Sequence, residues 1–204
     1  MKRLFLLSFI IFSTTSFAAV FDDAIDAYKA ENFKEARKLF DKACDQAEAN
    51  SCLFIATLAL GSNNYTKAAE MLEKACDFGN PTGCNELAEL YIVGQGVEKD
   101  LSKGIKLTRK ACDSGHARGC FNLGSFYHFG TGVDPNYHKA VKFYRLGCEG
   151  GNADACYNLA SNYMTGKGVR QSKSEAKLFF GRACDVGNQS GCDNYRLLNE
   201  NGIR

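Results

Sequence analysis

Apolar positions in this chain recur at the spacing of one helical face and do not alternate as they would along a strand. Between Ser102 and Asp113, the residues Ile105, Leu107, Ala111 and Cys112 fall mostly on one side of a helix. Between Ala117 and Phe129, the residues Cys120, Leu123, Gly124, Tyr127 and Phe129 do the same. Extended along the chain, the pattern predicts helices at 22–30, 33–47, 50–61, 65–77, 80–93, 101–113, 116–129, 137–149, 152–165, 172–185 and 188–200. The breaks carry suitable residues. Ser102 and Ser172 are N-cap candidates, and glycines follow the runs where a helix would end in the left-handed conformation. Pro81 sits where a helix begins and Pro135 lies in a loop, so neither interrupts one.

The pattern is periodic. The ten cysteines, at 44, 52, 76, 84, 112, 120, 148, 156, 184 and 192, make five pairs, each spaced by eight positions. Gly79, Gly115, Gly151 and Gly187 stand three residues after the first cysteine of a pair. Gly94 and Gly96, Gly130 and Gly132, and Gly166 and Gly168 precede Val97, Val133 and Val169. Such a period signals an all-α solenoid of two-helix units that bury a core only by stacking. The units fall at about 22–48, 50–78, 80–114, 116–150 and 152–186, with a capping helix at 188–200 made polar by Asn199, Glu200 and Asn201. Tight Asp-x-Gly turns alternate with longer Gly-x-Gly-Val loops, and Ser62-Asn63-Asn64 replaces the long loop early in the chain.

Composition adds a compartment and removes partners. Lys2 and Arg3, the apolar run Leu4–Phe12 and the small residues Ser16 and Ala18 read as an export signal, 1–18, cleaved after Ala18. That run is too short to span a bilayer, so no membrane span remains after its removal. The expected repeat domain is 19–204, secreted or periplasmic. Without Lys2 and Arg3 the 25 basic residues become 23, equal to the 23 acidic ones. A neutral chain with no charge run offers nucleic acid no footprint.

The Gly-x-Gly-Val loop, then Lys139-Ala140 near the next helix start, then Cys-x-Asn-Leu, resembles Sel-one-like repeats, which are relatives of tetratricopeptide repeats. The paired cysteines make the chain similar to the Helicobacter cysteine-rich protein family. The resemblance covers 44–200, and more loosely 22–43 as a tetratricopeptide-like first unit. The short first two units depart from the pattern. It implies a superhelix with a concave groove lined by the first helix of each unit, here 80–93, 116–129, 152–165 and 188–200. It also implies β-lactamase activity and penicillin binding, because members of that family commonly carry that description.

Export and an even count favour disulfides. Each pair places its first cysteine about three residues before a tight turn and its second about five after it. Those positions face each other in an antiparallel helical hairpin. The expected bridges are Cys44–Cys52, Cys76–Cys84, Cys112–Cys120, Cys148–Cys156 and Cys184–Cys192, each hairpin stapled by its own. The rival is a metal site, but zinc favours closer cysteines with histidines at fixed offsets, and His116, His128 and His138 recur in no repeat. No metal or other cofactor is implied.

On the groove helices, Glu86, Asn122, Asn158 and Asn194 lie two positions past the second cysteine, and Glu89, Ser125 and Ser161 lie five past it. Asparagines can pair with an extended peptide backbone, and Tyr91, Tyr127 and Tyr163 could add stacking area. Two readings stand for them: peptide recognition, or bonds and packing between neighbouring helices. Expected partners are a peptide or protein segment, from the envelope or a host, or a β-lactam or cell-wall fragment. For β-lactam chemistry the chain offers one Ser-x-x-Lys, Ser174 to Lys177, which chance alone would supply. Neither Ser-Asp-Asn nor Lys-Thr-Gly accompanies it. The glycine pairs lack a dinucleotide fingerprint, and no Walker pattern occurs.

Overall fold

A computed structural model describes residues 15–203, with side chains from Ala19 onward. Among the described residues it is all-helical: α1 Thr15–Lys29, α2 Phe33–Asp45, α3 Ala49–Gly61, α4 Tyr65–Asp77, α5 Pro81–Val93, α6 Leu101–Asp113, α7 Ala117–Phe129, α8 Tyr137–Glu149, α9 Ala153–Thr165, α10 Lys173–Asp185 and α11 Gln189–Glu200. The expected leader, 1–18, falls largely outside the described residues. Helix α1 opens at Thr15, seven residues ahead of the expected 22. Ala19, Val20 and Phe21 continue the helical run, and Phe21 packs edge-on against Phe40 at 6.0 Å. None of the described helices is long and apolar enough to cross a membrane.

Contacts run almost entirely between consecutive helices, as expected of a solenoid. The even-numbered helices share one buried stripe. In α6 it is Gly104, Ile105, Thr108, Ala111 and Cys112, and in α8 Ala140, Val141, Tyr144, Gly147 and Cys148. That i, i+1, i+4, i+7, i+8 spacing is one helical face. Small residues set the approach. A Cβ on Gly124 would come within 2.6 Å of the Tyr144 ring, and one on Gly104 within 2.6 Å of Ile92.

Both loop types close on hydrogen bonds. In the tight turns His116 N donates to Ala111 O at 3.0 Å and Asn152 N to Gly147 O at 2.9 Å, with Gly115 and Gly151 in the left-handed region. In the longer loops Asp100 N returns to Tyr91 O, Asn136 N to Tyr127 O and Ser172 N to Tyr163 O. Each of these three residues then caps the next helix: Asp100 accepts from Lys103 N, Asn136 from Lys139 N and Ser172 from Glu175 N. Ser102, expected as a cap, lies instead inside α6, because the Asp100 carboxylate already takes that orphan N–H. The second glycine of each loop sits against the start of an even helix of the preceding unit. At Gly168, with φ 73°, a Cβ would lie 2.3 Å from the Tyr137 carbonyl oxygen.

Five disulfides join Cys44 to Cys52, Cys76 to Cys84, Cys112 to Cys120, Cys148 to Cys156 and Cys184 to Cys192, with Cα–Cα distances of 4.5–4.8 Å. Each ties an even helix to the following odd one across the tight turn. The bridge therefore links one two-helix unit to the next and does not close a unit on itself, because the cysteines flank the inter-unit turn. Small residues beside them, Gly119 against Ala111 and Ala155 against Gly147, let the helices approach closely enough.

Candidate functional site

The sequence candidates lie on the odd helices, but the asparagines do not form a uniform ladder. Asn122 on α7 donates at 3.1 Å to Asn85 on α5. Asn85 is only 2% exposed and donates in turn to Glu89 at 3.0 Å. Glu89 pairs with Arg118 of α7 at 3.3 Å. Asn122 is thus committed to an inter-helix clamp that includes Asn85 and Arg118. Neither of those partners was legible as a site residue, because the clamp joins residues 37 apart in the chain. Asn194 donates to its own helix at Ser190 O. Ser125 and Ser161 donate to Phe121 O and Tyr157 O one turn back, a local bond that uses the hydroxyl proton and leaves only acceptor capacity.

Two clefts open between successive odd helices. The first, about 310 Å³, is lined by Glu86, Glu89, Leu90 and Val93 of α5 with Arg118 of α7, and by Leu60, Tyr65 and Gln95. Oε2 of Glu86 is buried without a hydrogen-bond partner. Burial pushes the Glu86 carboxyl above the usual range, Glu89 adds to this, and Arg118 opposes it. The second cleft, about 210 Å³, gathers His128 of α7, Asn158, Ser161, Asn162 and Thr165 of α9, and Lys167. Asn162, 2% exposed, donates to Asn158 O at 2.7 Å, while its Oδ1 has no partner. His128 Nδ1 is likewise unpartnered, and burial first, then Lys167, holds this ring below its ordinary pKa. Thr165 and Lys167 were not singled out from sequence, and His128 was weighed there only as a metal ligand, since helix and loop bring them together only after folding.

The tyrosines turn toward the even helices instead. Tyr127 stacks on Phe143 at 5.7 Å and Tyr163 on Phe179 at 5.6 Å. Their hydroxyls accept from Arg109 at 2.7 Å and Arg145 at 2.6 Å, while Lys103 donates to Tyr91 at 2.6 Å. Of the two readings for these tyrosines, packing is the one their contacts match. Larger clefts, about 350 and 360 Å³, lie beside α2, α3 and α4.

Ser174 and Lys177 sit on α10 with separate engagements. The Ser174 hydroxyl is 3.1 Å from that of Ser172, and Lys177 Nζ donates to Asn199 Oδ1 at 2.8 Å and Ile203 O at 2.6 Å. Lys177 anchors the C-terminal helix, and no hydrogen bond joins it to Ser174 among the described residues. Every cysteine sulfur is bridged.

The Sel1 repeat profile matches residues 26–48, 58–80, 81–116, 117–152 and 153–188. No curated protein matches the chain. Among solved structures, a Sel1 repeat protein of Oxalobacter formigenes is 24% identical over 84% of this chain and 71% of that one, with a TM-score of 0.75. A protective antigen of uropathogenic Escherichia coli with an SLR fold is 24% identical over 82% of this chain and 37% of its own, with a TM-score of 0.74. Both likenesses show the fold alone. Helicobacter pylori cysteine-rich protein B is 28% identical over 61% of this chain and 95% of its own, with a TM-score of 0.50. With five matched stretches covering most of its length, the chain belongs to the Sel1 repeat family.

Proposed function

We propose that this chain binds an extended peptide or protein segment, from an envelope or host protein, along the exposed face of its odd helices. One observation carries the reading. Oε2 of Glu86, Nδ1 of His128 and Oδ1 of Asn162 are buried and lack hydrogen-bond partners, and these three residues line the two clefts between successive odd helices. A buried polar atom left unpaired costs roughly 1–3 kcal/mol, and a peptide backbone or polar side chain would supply the missing bonds. The clefts are open and mix polar with apolar lining, which suits a chain lying across them better than an enclosed small molecule.

The reading includes export. It is supported by the five disulfides, which persist in oxidising compartments, and by the likeness to Helicobacter pylori cysteine-rich protein B. The β-lactamase reading draws no support from α10, where Lys177 is engaged with Asn199 and Ile203 instead of activating Ser174.

The test is a random nonamer peptide array probed with the oxidised full chain. Asn158→Ala combined with Lys167→Ala should weaken the best binders about tenfold, the loss of roughly 1.4 kcal/mol of polar contact. Unchanged affinity would move the site off this face. Nitrocefin turnover by the same preparation, abolished by Ser174→Ala, would replace the binding reading with an enzymatic one.

A further inference from the structure

The tyrosine that fills a recurring slot in later units is missing from an early one. Ala59, Tyr91, Tyr127 and Tyr163 each stand seven positions past the second cysteine of their pair. Nine positions before the next cysteine pair stand Lys67, Lys103 and Lys139. In two of the three occupied slots the lysine lies over the ring: Lys103 Nζ is 4.2 Å from the Tyr91 centroid, and Lys139 Nζ is 4.9 Å from that of Tyr127, while Glu175 holds that register beside Tyr163. The ring is held between odd and even helices, and its hydroxyl meets a polar side chain of an even helix, as Tyr127 meets Arg109.

At Ala59 the frame is present without the ring. A cleft of about 350 Å³ opens there, lined by Phe40, Ile55, Leu58 and Ala59, with Arg37, Asp41 and Lys67 among its polar residues. Phe40 is buried and forms an apolar wall. Asp41 occupies the register of Arg109 and Arg145, three residues before the first cysteine of a pair. A tyrosine entering from outside would thus find an acceptor for its hydroxyl where Tyr127 and Tyr163 find a donor. The charges are also complementary: Lys67 and Arg37 suit the negative face of an aromatic ring, and Asp41 suits a phenolic O–H.

We propose that this slot between α2, α3 and α4 is a docking site for a tyrosine side chain of a partner polypeptide, separate from the odd-helix clefts. The ring lies on Ile55 and Leu58 beneath Lys67, and the hydroxyl donates to Asp41. The internal tyrosines show which shape and charge pattern the frame accepts, and the occupant is inferred from them.

The probes are the tripeptides acetyl-Gly-Tyr-Gly-amide, its Phe form and its Ala form, titrated into the oxidised full chain and followed by amide NMR shifts. The Tyr peptide should shift Ile55, Leu58 and Ala59 saturably and bind about fivefold tighter than the Phe peptide, the worth of one modest hydrogen bond. The Ala peptide should leave those signals in place. Asp41→Ala, a change at an exposed side chain, should bring Tyr and Phe to parity. Ala59→Tyr should abolish binding by filling the slot from within. No saturable shift with the Tyr peptide, or a Tyr preference that survives Asp41→Ala, overturns the proposal, and neither result bears on peptide binding at the odd-helix clefts.

Discussion

Arg109 donates a 2.7 Å hydrogen bond to the hydroxyl of Tyr127, and its guanidinium lies 5.4 Å from the ring of Phe143. One side chain on α6 therefore grips α7 and α8 together. Arg145 repeats the arrangement with Tyr163 and Phe179. In a solenoid, where a unit touches only its neighbours, such a grip carries unit-to-unit coupling. Tyr127→Phe should lower stability by about 1 kcal/mol, and a double-mutant cycle with Arg109→Ala should show a coupling of about 1 kcal/mol. Urea unfolding of the oxidised protein measures both. Additive single losses would show that the pair does not couple the units.

The bridge between Cys112 and Cys120 closes a loop of about nine residues, worth about 2.5 kcal/mol by loop entropy. Cys112→Ala with Cys120→Ala should lose that amount. Hydrogen exchange should quicken in α6 and α7 ahead of distant helices, because neighbours in the array communicate only in series. Equal acceleration in α1 and α11 would contradict the unit-to-unit account.

Two glycines with similar backbone angles should respond very differently to alanine. Gly151 has φ 86° with nothing within 4 Å of a new Cβ, so Gly151→Ala should cost only the left-handed strain, about 1 kcal/mol. Gly168 has φ 73° and would place its Cβ 2.3 Å from Tyr137 O, so Gly168→Ala should cost about 3 kcal/mol. Thermal melts that rank the two equally would show that the close approach to α8 is not maintained in solution.

His116 caps α7 through Nδ1, which accepts from Gly119 N at 3.1 Å and must therefore be unprotonated. Burial first, then Arg118, holds its pKa below the ordinary 6.5. On acidification the unfolded chain takes up the proton first. This contribution to stability is thus intact above pH 6.5 and lost as pH falls through the lower folded value. His128, shifted the same way, adds to the loss. His116→Asn keeps a cap of the kind that Asn80, Asn152 and Asn188 provide for α5, α9 and α11, and removes one titration. Its melting temperature should fall less between pH 7.5 and pH 5 than that of the parent. An equal fall in both would rule out His116 as a source of acid sensitivity.

The helices were legible because each even helix carries its apolar stripe in register with its cysteine, and each break carries a residue that stops a helix. Ends were read within a residue or two. Residues 80, 116, 152 and 188, expected at helix starts, are instead extended N-caps. The start of α1 was not legible, since the apolar run that precedes Asp22 reads equally as a leader. Ser102 misled because its neighbour Asp100 is the stronger acceptor at the same end. At the candidate site, Asn158 and Ser161 were legible from their register and do line a cleft. Asn122 has the same register but is taken up by Asn85, a position where the local pattern offers no warning.

By itself the chain's order of residues determined the helices, the turns and the partners of the cysteines, because all of these depend on groups within about ten residues of one another. Tertiary structure alone decided which polar groups remain unpaired and which spaces remain open. Asn85 finds Asn122 and Arg109 finds Tyr127 only when helices stack, and the slot at Ala59 opens only where residues of α2, α3 and α4 come together. Satisfaction of a buried polar group is a property of everything packed around it, and no local window of sequence contains that information.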